Sequence, residues 1–490
     1  MKPTVELLKL IPETTARKYA VMPLGIVGNT LKVAMSNPSD IFIQEALAAQ
    51  CQMRIEPEMQ DAASIQAAIE RNYRGEQESE ATTTRAGARS GSGKRQREID
   101  TVAGAPAARA LNLIIDEAGK SGVSDVHLQP QKDRLRIRYR LDGTLREAMT
   151  FPPKMNIPLI SRIKVLAGMN IADHHRPQDG RFSMEINDRL IDIRVGMVPT
   201  VYGEMAVLRL LDKSRAMVSL DSLGFRAESL ELYTKMLNMP YGMILVSGPT
   251  GAGKTTTLYA SLNSLNQTEQ NIITIEDPIE YQFKNINQIQ VNPRSGITFS
   301  SGLRSILRLD PDVILVGEIR DAETAAIAVQ SALTGHMVLS TIHANDSASV
   351  IYRLIDLGVE PFLLSSAIIG VVAQRMVRQV CPECGRPVNP TAVEAAAYKK
   401  ETGETLKKYH QGSGCGHCDN TGYTGRCPLF EILPVSDEMR RLLISGSSTE
   451  EMRHQAIDEG MVTLAQDGML KVKDGITTPS EVLRNAYTTE

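Results

Sequence analysis

Tryptophan is absent from the 490-residue chain, and aromatic residues make up only 4% of it. Proteins that track single-stranded nucleic acid usually stack bases on aromatic side chains in basic grooves. A positive excess is also missing: 54 Lys and Arg stand against 57 Asp and Glu, for a net charge of −3. A helicase or packaging motor is therefore disfavoured, and no nucleic-acid partner is expected. No apolar run reaches the roughly 18 residues of a membrane span. The opening MKPTVELLKLIPETT lacks the apolar core of a signal peptide. These absences predict a cytoplasmic protein, at most peripheral to a membrane. Cysteine is scarce too, with six in the chain, so no disulfide scaffold is expected. Four of the six fall in two CxxC pairs and call for another explanation.

At roughly 100–200 residues per domain, the length predicts about three or four domains. Residues 1–74 read as a small α+β interaction module. Short strands (Ala20–Leu24, Leu31–Met35, Met53–Pro57) flank a helical stretch over Ile41–Ala49, and Ala62–Asn72 closes the module as a helix. Residues 75–99 hold almost no large apolar side chain, and such a segment buries too little surface to offset its chain entropy. It is read as a flexible linker, with Lys94, Arg95 and Arg97 as solvated charge. Residues 100–213 form a second unit: a helix over Ala107–Lys120, then strands with period-2 alternation at Leu135–Arg140 and Leu190–Met197. Asp142-Gly143 and Asn187-Asp188 mark hairpin turns. Arginines crowd this unit (Arg134, Arg136, Arg138, Arg140, Arg146, Arg181, Arg194, Arg209). They make either an exposed sheet face or a surface that meets an anion. Over residues 214–490 the pattern becomes strand–helix alternation, the mark of a parallel sheet. Met243–Ser247, Asn271–Ile275, Val313–Val316 and Met337–Ser340 are its central strands, and residues 435–490 are helical.

Gly248-Pro249-Thr250-Gly251-Ala252-Gly253-Lys254-Thr255 satisfies GxxxxGK[ST]. It follows the strand MILVS and opens the helix TTTLYASLNSL, beginning with Thr256, which is the context the motif requires. Its backbone N–H groups would cradle the phosphates of ATP, with help from the helix N-terminus. Lys254 would reach the β- and γ-phosphates, and the Thr255 hydroxyl would ligate Mg²⁺. The strand Asp312–Val316 ends in Gly317-Glu318. Glu318 is placed to polarise the attacking water. Gly317 stands where a metal-side Asp is usual, so Mg²⁺ is expected to lean on Thr255, nucleotide oxygens and waters. Glu276 and Asp277, after the strand NIITI, are candidates to hold those waters, or else a loop carboxylate and a helix cap. His336 and His343 bracket the strand of TGHMVLSTIHAND. Each is a candidate sensor of the γ-phosphate, against the simpler reading of a satisfied core histidine.

Cys381-Pro-Glu-Cys384 and Cys415-Gly-His-Cys418 are separated by 30 residues. Two such pairs fit a closed tetrahedral Zn²⁺ site of four thiolates, structural in kind, within a subdomain at 381–427. A redox pair is the competing reading, and His417 is a reserve ligand.

Taken together, GPTGAGKTTTLYA, TIEDPIEY, VILVGEIRD, TGHMVLSTIHAND, QRMVR, the two CxxC pairs, GYTGR and Phe430-Glu431 resemble the type II secretion and type IV pilus assembly ATPases. The likeness is close over about 100–490 and looser before. It implies a multidomain α/β protein. A RecA-like core, a parallel sheet with helices on both faces, would follow a PAS-like α+β domain and the N-terminal module. It also implies a homohexamer at the inner face of the cytoplasmic membrane. There ATP hydrolysis would act through an inner-membrane platform protein and cytoplasmic recruiting proteins to extend a pilus or pseudopilus. Arg194 and Arg209, and less firmly Arg181, match arginines that close over the nucleotide in the family. Arg304 and Arg308 match two more and would share a helix face. The tetracysteine motif points to the extension branch. The Arg-Leu-Gly motif of relatives with two N-terminal modules is not found, which argues against cyclic-dinucleotide regulation. A regulatory ATP-binding switch of the same machinery is the second reading.

Overall fold

A computed structural model describes residues 106–486 except 188, 213–217 and 266–268, together with parts of 7–69. The chain divides into two compact units, Met1–Ala103 and Gly104–Glu490. In the first, β1 (Val21–Val27) and β2 (Thr30–Met35) form an antiparallel hairpin, and β3 (Arg54–Met59) joins β2 in parallel. Val21, Leu31 and Val33 bury against Ile11, Leu47 and Ile65. The helices read at Ile41–Ala49 and Ala62–Asn72 are described only in part, and the linker 75–99 lies outside the described residues.

The second unit opens with α1 (Pro106–Lys120). A six-stranded antiparallel sheet follows, ordered β6-β5-β4-β9-β8-β7. Its strands are β4 (Asp125–Pro130), β5 (Leu135–Leu141), β6 (Thr144–Phe151), β7 (Gln178–Ile186), β8 (Arg189–Thr200) and β9 (Gly203–Asp212). Alternation works as the pattern demands: Leu135, Ile137 and Tyr139 face inward, and the intervening arginines face out. Asp142 and Gly143 both take positive φ, at 48° and 82°, which suits a tight hairpin turn. Under the sheet lie α1 and α2 (Asn156–Ala167). There Lys164, fully buried, pairs with Glu204 at 2.6 Å and donates to the Asp173 carbonyl at 2.6 Å.

After α3 (Ala227–Leu237) comes the core sheet, ordered β12-β11-β13-β14-β10-β15-β18. Strands β10 (Gly242–Ser247), β11 (Ile272–Glu276), β12 (Asn287–Gln290), β13 (Val313–Val316), β14 (Met337–Ile342) and β15 (Ile368–Val380) are parallel. The edge strand β18 (Tyr423–Pro434) runs antiparallel to β15. β10, β11, β13 and β14 are buried along their whole length, the signature of strands covered on both faces. On one face α5 (Phe299–Ile306), α6 (Ala322–Leu333), α7 (Ser347–Asp356) and α8 (Pro361–Ala367) close a core around Leu245, Ile314 and Val338. On the other, α3 and α4 (Lys254–Leu265) pack on Ile244, Leu315 and Leu339. Beyond β15 a small lobe holds the hairpin β16 (Gly385–Val388) with β17 (Tyr409–Gly412), and α9 (Ala392–Thr402). Four helices end the chain: α10 (Asp437–Ser445), α11 (Thr449–Asp458), α12 (Leu464–Lys473) and α13 (Pro479–Ala486). No helix among the described residues is long and apolar enough to cross a membrane.

Candidate functional site

The P-loop leaves the carboxyl end of β10, which lies between β14 and β15 in the sheet. Ligands of open α/β sheets bind at such ends. Gly248 has φ of 147°, and a Cβ there would run into the Gln374 carbonyl oxygen on β15, so only glycine fits. α4 starts at Lys254, which aims its N-terminus at the loop. The Lys254 ammonium donates to the loop carbonyls of Gly248 at 2.7 Å and Pro249 at 3.1 Å. Burial lowers its pKa; Glu318 opposes that and Arg375 adds to it. Thr255 and Thr256 stand exposed in the first turn of α4.

Glu318 lies two residues past the end of β13 with its side chain 14% exposed, 2.6 Å from Arg320 and 3.8 Å from His343 Nε2. Glu276 ends the neighbouring strand β11 and is buried. Its oxygens accept from Thr274 Oγ1 at 2.6 Å, Gln288 Nε2 at 3.1 Å and the Tyr259 hydroxyl. Its hydrogen bonds thus go to protein groups, while Asp277 beside it is exposed.

The two histidines part company. β10 and β14 run in register from Gly242↔Met337 to Ser247↔Ile342. His343 thus lies at the P-loop end. His336 lies at the other, roughly 20 Å away along a six-residue strand. Its Nδ1 bonds the Ser331 carbonyl at 2.9 Å and Thr334 Oγ1 at 3.2 Å. The expectation of a γ-phosphate sensor at His336 is corrected: a strand cannot deliver both of its ends to one phosphate.

The arginine-rich face is largely compensated. Arg136 pairs with Glu147 at 2.6 Å and Arg209 with Asp125 at 2.9 Å. Arg194 holds Glu280 at 2.8 Å and donates to the Ile279 carbonyl at 3.1 Å. Arg194 and Arg209 are not among the residues that line two cavities bordering the P-loop. Arg304 pairs with Glu323 at 2.6 Å. Arg308 lies beyond the end of α5 and reaches back to the Arg304 carbonyl at 3.0 Å.

A different set of arginines stands beside the loop. A cavity of about 200 Å³ runs along Thr250 and Gly251 and is walled by Arg375, Arg378, Arg426 and Arg484. The first three sit on β15 and β18, the pair that sequence reading took only as family motifs. The signal was there: IIGVVA is a buried-strand run, and the charged residues after it continue the same strand. On the other side of the loop, a 430 Å³ cavity is lined by Gly248, His343, Asn345 and Arg353. Glu431 fixes that wall by accepting from the Ser347 N–H at 2.9 Å and the Leu464 N–H at 3.2 Å.

The four paired cysteines converge in the small lobe. All four sulfurs lie within 4.8 Å of one another. Cys381–Cys415, Cys384–Cys418 and Cys415–Cys418 are separated by 3.9, 3.8 and 3.7 Å. A disulfide would need about 2.05 Å. A tetrahedron with metal–sulfur bonds of about 2.3 Å has edges of about 3.8 Å, so the shell fits a tetrathiolate metal ion. Burial pushes the Cys418 thiol up, but the Cys415 and Gly422 N–H groups outweigh it and hold the thiol low, at about 6. Burial and the crowd of sulfurs push Cys384 up to about 11. Gly412 and Gly422 cross so closely that a Cβ on either would strike the other's backbone. Cys427, buried in β18, stands apart from this cluster.

Comparison with known proteins agrees with this architecture. The model of the type II/IV secretion system protein family matches residues 100–484, and that of the MshEN domain matches residues 1–79. The chain is 40% identical over 490 residues to the Type IV pilus assembly ATPase PilB of Myxococcus xanthus, covering 98% of this chain and 86% of that one. It is 47% identical over 380 residues to the Type II secretion system protein E of Pseudomonas aeruginosa, covering 78% and 75%. Among solved structures, the pilus retraction motor PilT with bound ADP superposes with a TM-score of 0.52 at 25% identity, over 77% of this chain and 96% of that one. The Legionella pneumophila ATPase DotB superposes at 0.58 with 19% identity, over 76% and 94%, a likeness of fold. With a P-loop at the switch point of its sheet and a family match across most of its length, the chain is an ATPase of the type II/IV secretion system protein family.

Proposed function

We propose that this ATPase is a motor for extension. As a cytoplasmic hexamer at the inner face of the membrane, it would hydrolyse ATP to drive assembly of a type IV pilus or a type II secretion pseudopilus through an inner-membrane platform protein. The observation that carries the reading is the placement of Glu318 just past the carboxyl end of β13, 3.8 Å from His343 Nε2, on the edge of the sheet from which the P-loop leaves β10. A switch that only binds ATP needs the lysine but has no use for a carboxylate poised over the phosphates. The names of the relatives, a pilus assembly ATPase and a secretion system protein E, supply the process.

Chemically, the loop's N–H groups and Lys254 would hold the phosphates, and Glu318 would orient the attacking water. His343, 3.8 Å from Glu318, would sense the γ-phosphate. Mg²⁺ would neutralise phosphate charge. Thr255 is the residue to hold it, because Glu276 has its oxygens engaged by Tyr259, Thr274 and Gln288. Arg194 and Arg209 would act as arginine fingers after release from Glu280 and Asp125; for Arg194 that requires the sheet domain to move against the core, whereas Asp125 holds Arg209 from within the same sheet. Zn²⁺ in the Cys381, Cys384, Cys415 and Cys418 shell would be structural, with no open position. Steady-state phosphate release by the purified protein, with and without its platform protein, tests the motor. Turnover that rises with the platform protein supports it. ATP binding with no turnover in either condition would favour the switch.

A further inference from the structure

The segment after the second cysteine pair reaches well beyond the knuckle. Gly422 is tied to the sulfurs: its N–H donates to Cys418 Sγ at 3.2 Å, and its carbonyl accepts from the Cys381 N–H at 2.9 Å. A few residues later the same segment meets two other parts of the molecule. The Gly425 N–H donates to Asp142 Oδ2 at 2.9 Å, on the turn between β5 and β6. The Arg426 guanidinium lies 3.5 Å from the Gly251 carbonyl of the P-loop. Between them, Arg378 stacks 4.1 Å over the Tyr423 ring and pairs with Glu481 at 2.6 Å. Asp142 and Arg426 are also walls of the arginine-lined cavity beside the loop.

We infer that Gly422–Arg426 is a positioning strut for the nucleotide site. A metal held by the four thiols fixes its start; its far end sets Arg426 and Asp142 against the P-loop and so tightens nucleotide binding. This rests on the reading that the P-loop takes ATP and the thiols take zinc.

The physical argument is one of preorganisation. Thiol–thiol contacts are weak, so without a cation the knuckle restrains the strut poorly. Pairing with β15 holds the strand at Arg378↔Arg426, but the register shift before Val380↔Tyr423 leaves its start to the knuckle, so settling that start has to accompany nucleotide binding and weakens it. With the metal in place, the segment is already ordered. The cavity it closes keeps a cationic surplus, because Glu481 answers Arg378 while Arg426 is exposed at the loop. A cationic wall suits the electron-rich parts of a nucleotide that extend past the P-loop. Binding linkage is reciprocal, so nucleotide should also tighten the metal.

The test is titration of the full-length protein with a fluorescent ATP analogue, alongside elemental analysis for zinc. Arg426→Ala and Asp142→Ala should each weaken binding by ~5–10-fold while zinc content stays unchanged. Arg426→Lys should restore part of the loss. Chelator-treated protein should bind weaker by a similar factor, and in it Arg426→Ala should cost little further. Unchanged affinity after zinc has been removed would overturn the strut. So would an Arg426→Ala penalty that is the same with and without metal. If chelation unfolds the lobe, the Arg426→Ala/Asp142→Ala double variant decides: a loss no larger than the bigger single loss supports the strut, and simple addition overturns it. Lys254→Ala in the same titration and the zinc content of untreated protein report separately on the two underlying readings. Undiminished binding in the one, or absent zinc in the other, removes the strut's basis and overturns it too.

Discussion

Replacing Lys164 with methionine tests how the sheet domain is held together. Lys164 has no exposed surface, and Glu204 is 7% exposed. The ammonium pairs with Glu204 at 2.6 Å and donates to the Asp173 carbonyl at 2.6 Å, while His174 meets the other Glu204 oxygen at 2.7 Å. Methionine fills the volume but leaves a buried carboxylate without its main counter-charge. Removing one partner of a buried pair typically costs about 3–5 kcal/mol. That is a factor of roughly 10²–10⁴ in a local opening equilibrium. The loop between α2 and β7 should show it first, since the Asp173 carbonyl and the Gln178 side chain anchor it. The assay is amide hydrogen exchange of the whole protein, read over residues 168–180 against the core sheet. Adding Glu204→Gln removes the stranded charge and should recover part of the loss. Protection unchanged within about threefold in Lys164→Met would refute the reasoning. It would mean water or another cation reaches Glu204 as well as Lys164 does.

Further outcomes follow from the same geometry. Arg194→Ala and Arg209→Ala should lower kcat more than ATP affinity, by up to the ~10³–10⁵ that arginine fingers supply; equal losses in both, or an altered circular dichroism spectrum, would make them structural. His343→Ala should slow turnover, whereas His336→Ala should leave it within about threefold, because its ring serves Ser331 and Thr334 at the far end of the sheet; steady-state phosphate release separates the two. Purified protein should carry about one zinc per chain. Cys384→Ser should lower that content. Because the ligands must be deprotonated, zinc should be released as pH falls; metal-free protein with a folded lobe would contradict this.

Much of the site was legible because its chemistry is local in sequence. The P-loop, its strand and its helix are contiguous, and the cysteine spacing alone predicts four convergent thiols. β10, β11, β13 and β14 announced themselves as short apolar runs, since a strand covered on both faces has no alternation to hide. What escaped depends on long-range pairing. Parallel pairing of β15 with β10 brings Arg375 and Arg378 beside the P-loop, and the antiparallel register of β18 on β15 adds Arg426. The Lys164–Glu204 pair is likewise invisible, because both residue types default to the surface. The order of motifs offers His336 and His343 alike as sensors, and only the register of β14 on β10 shows that they lie at opposite ends of the sheet. The arginine pairs on Glu280 and Asp125 were missed for a related reason: the sequence shows the charges but not the conformation in which they are satisfied.

The most direct test of the central claim is Glu318→Gln. The change keeps the shape of the side chain and removes the charge that orients water. ATP affinity should stay within about threefold of the unaltered protein, with Lys254→Ala as the control that loses binding. Steady-state phosphate release should fall by at least ~10²-fold, the contribution expected of a positioned base. Near-normal phosphate release from Glu318→Gln would contradict the account and move the catalytic role to the acidic box around Glu276.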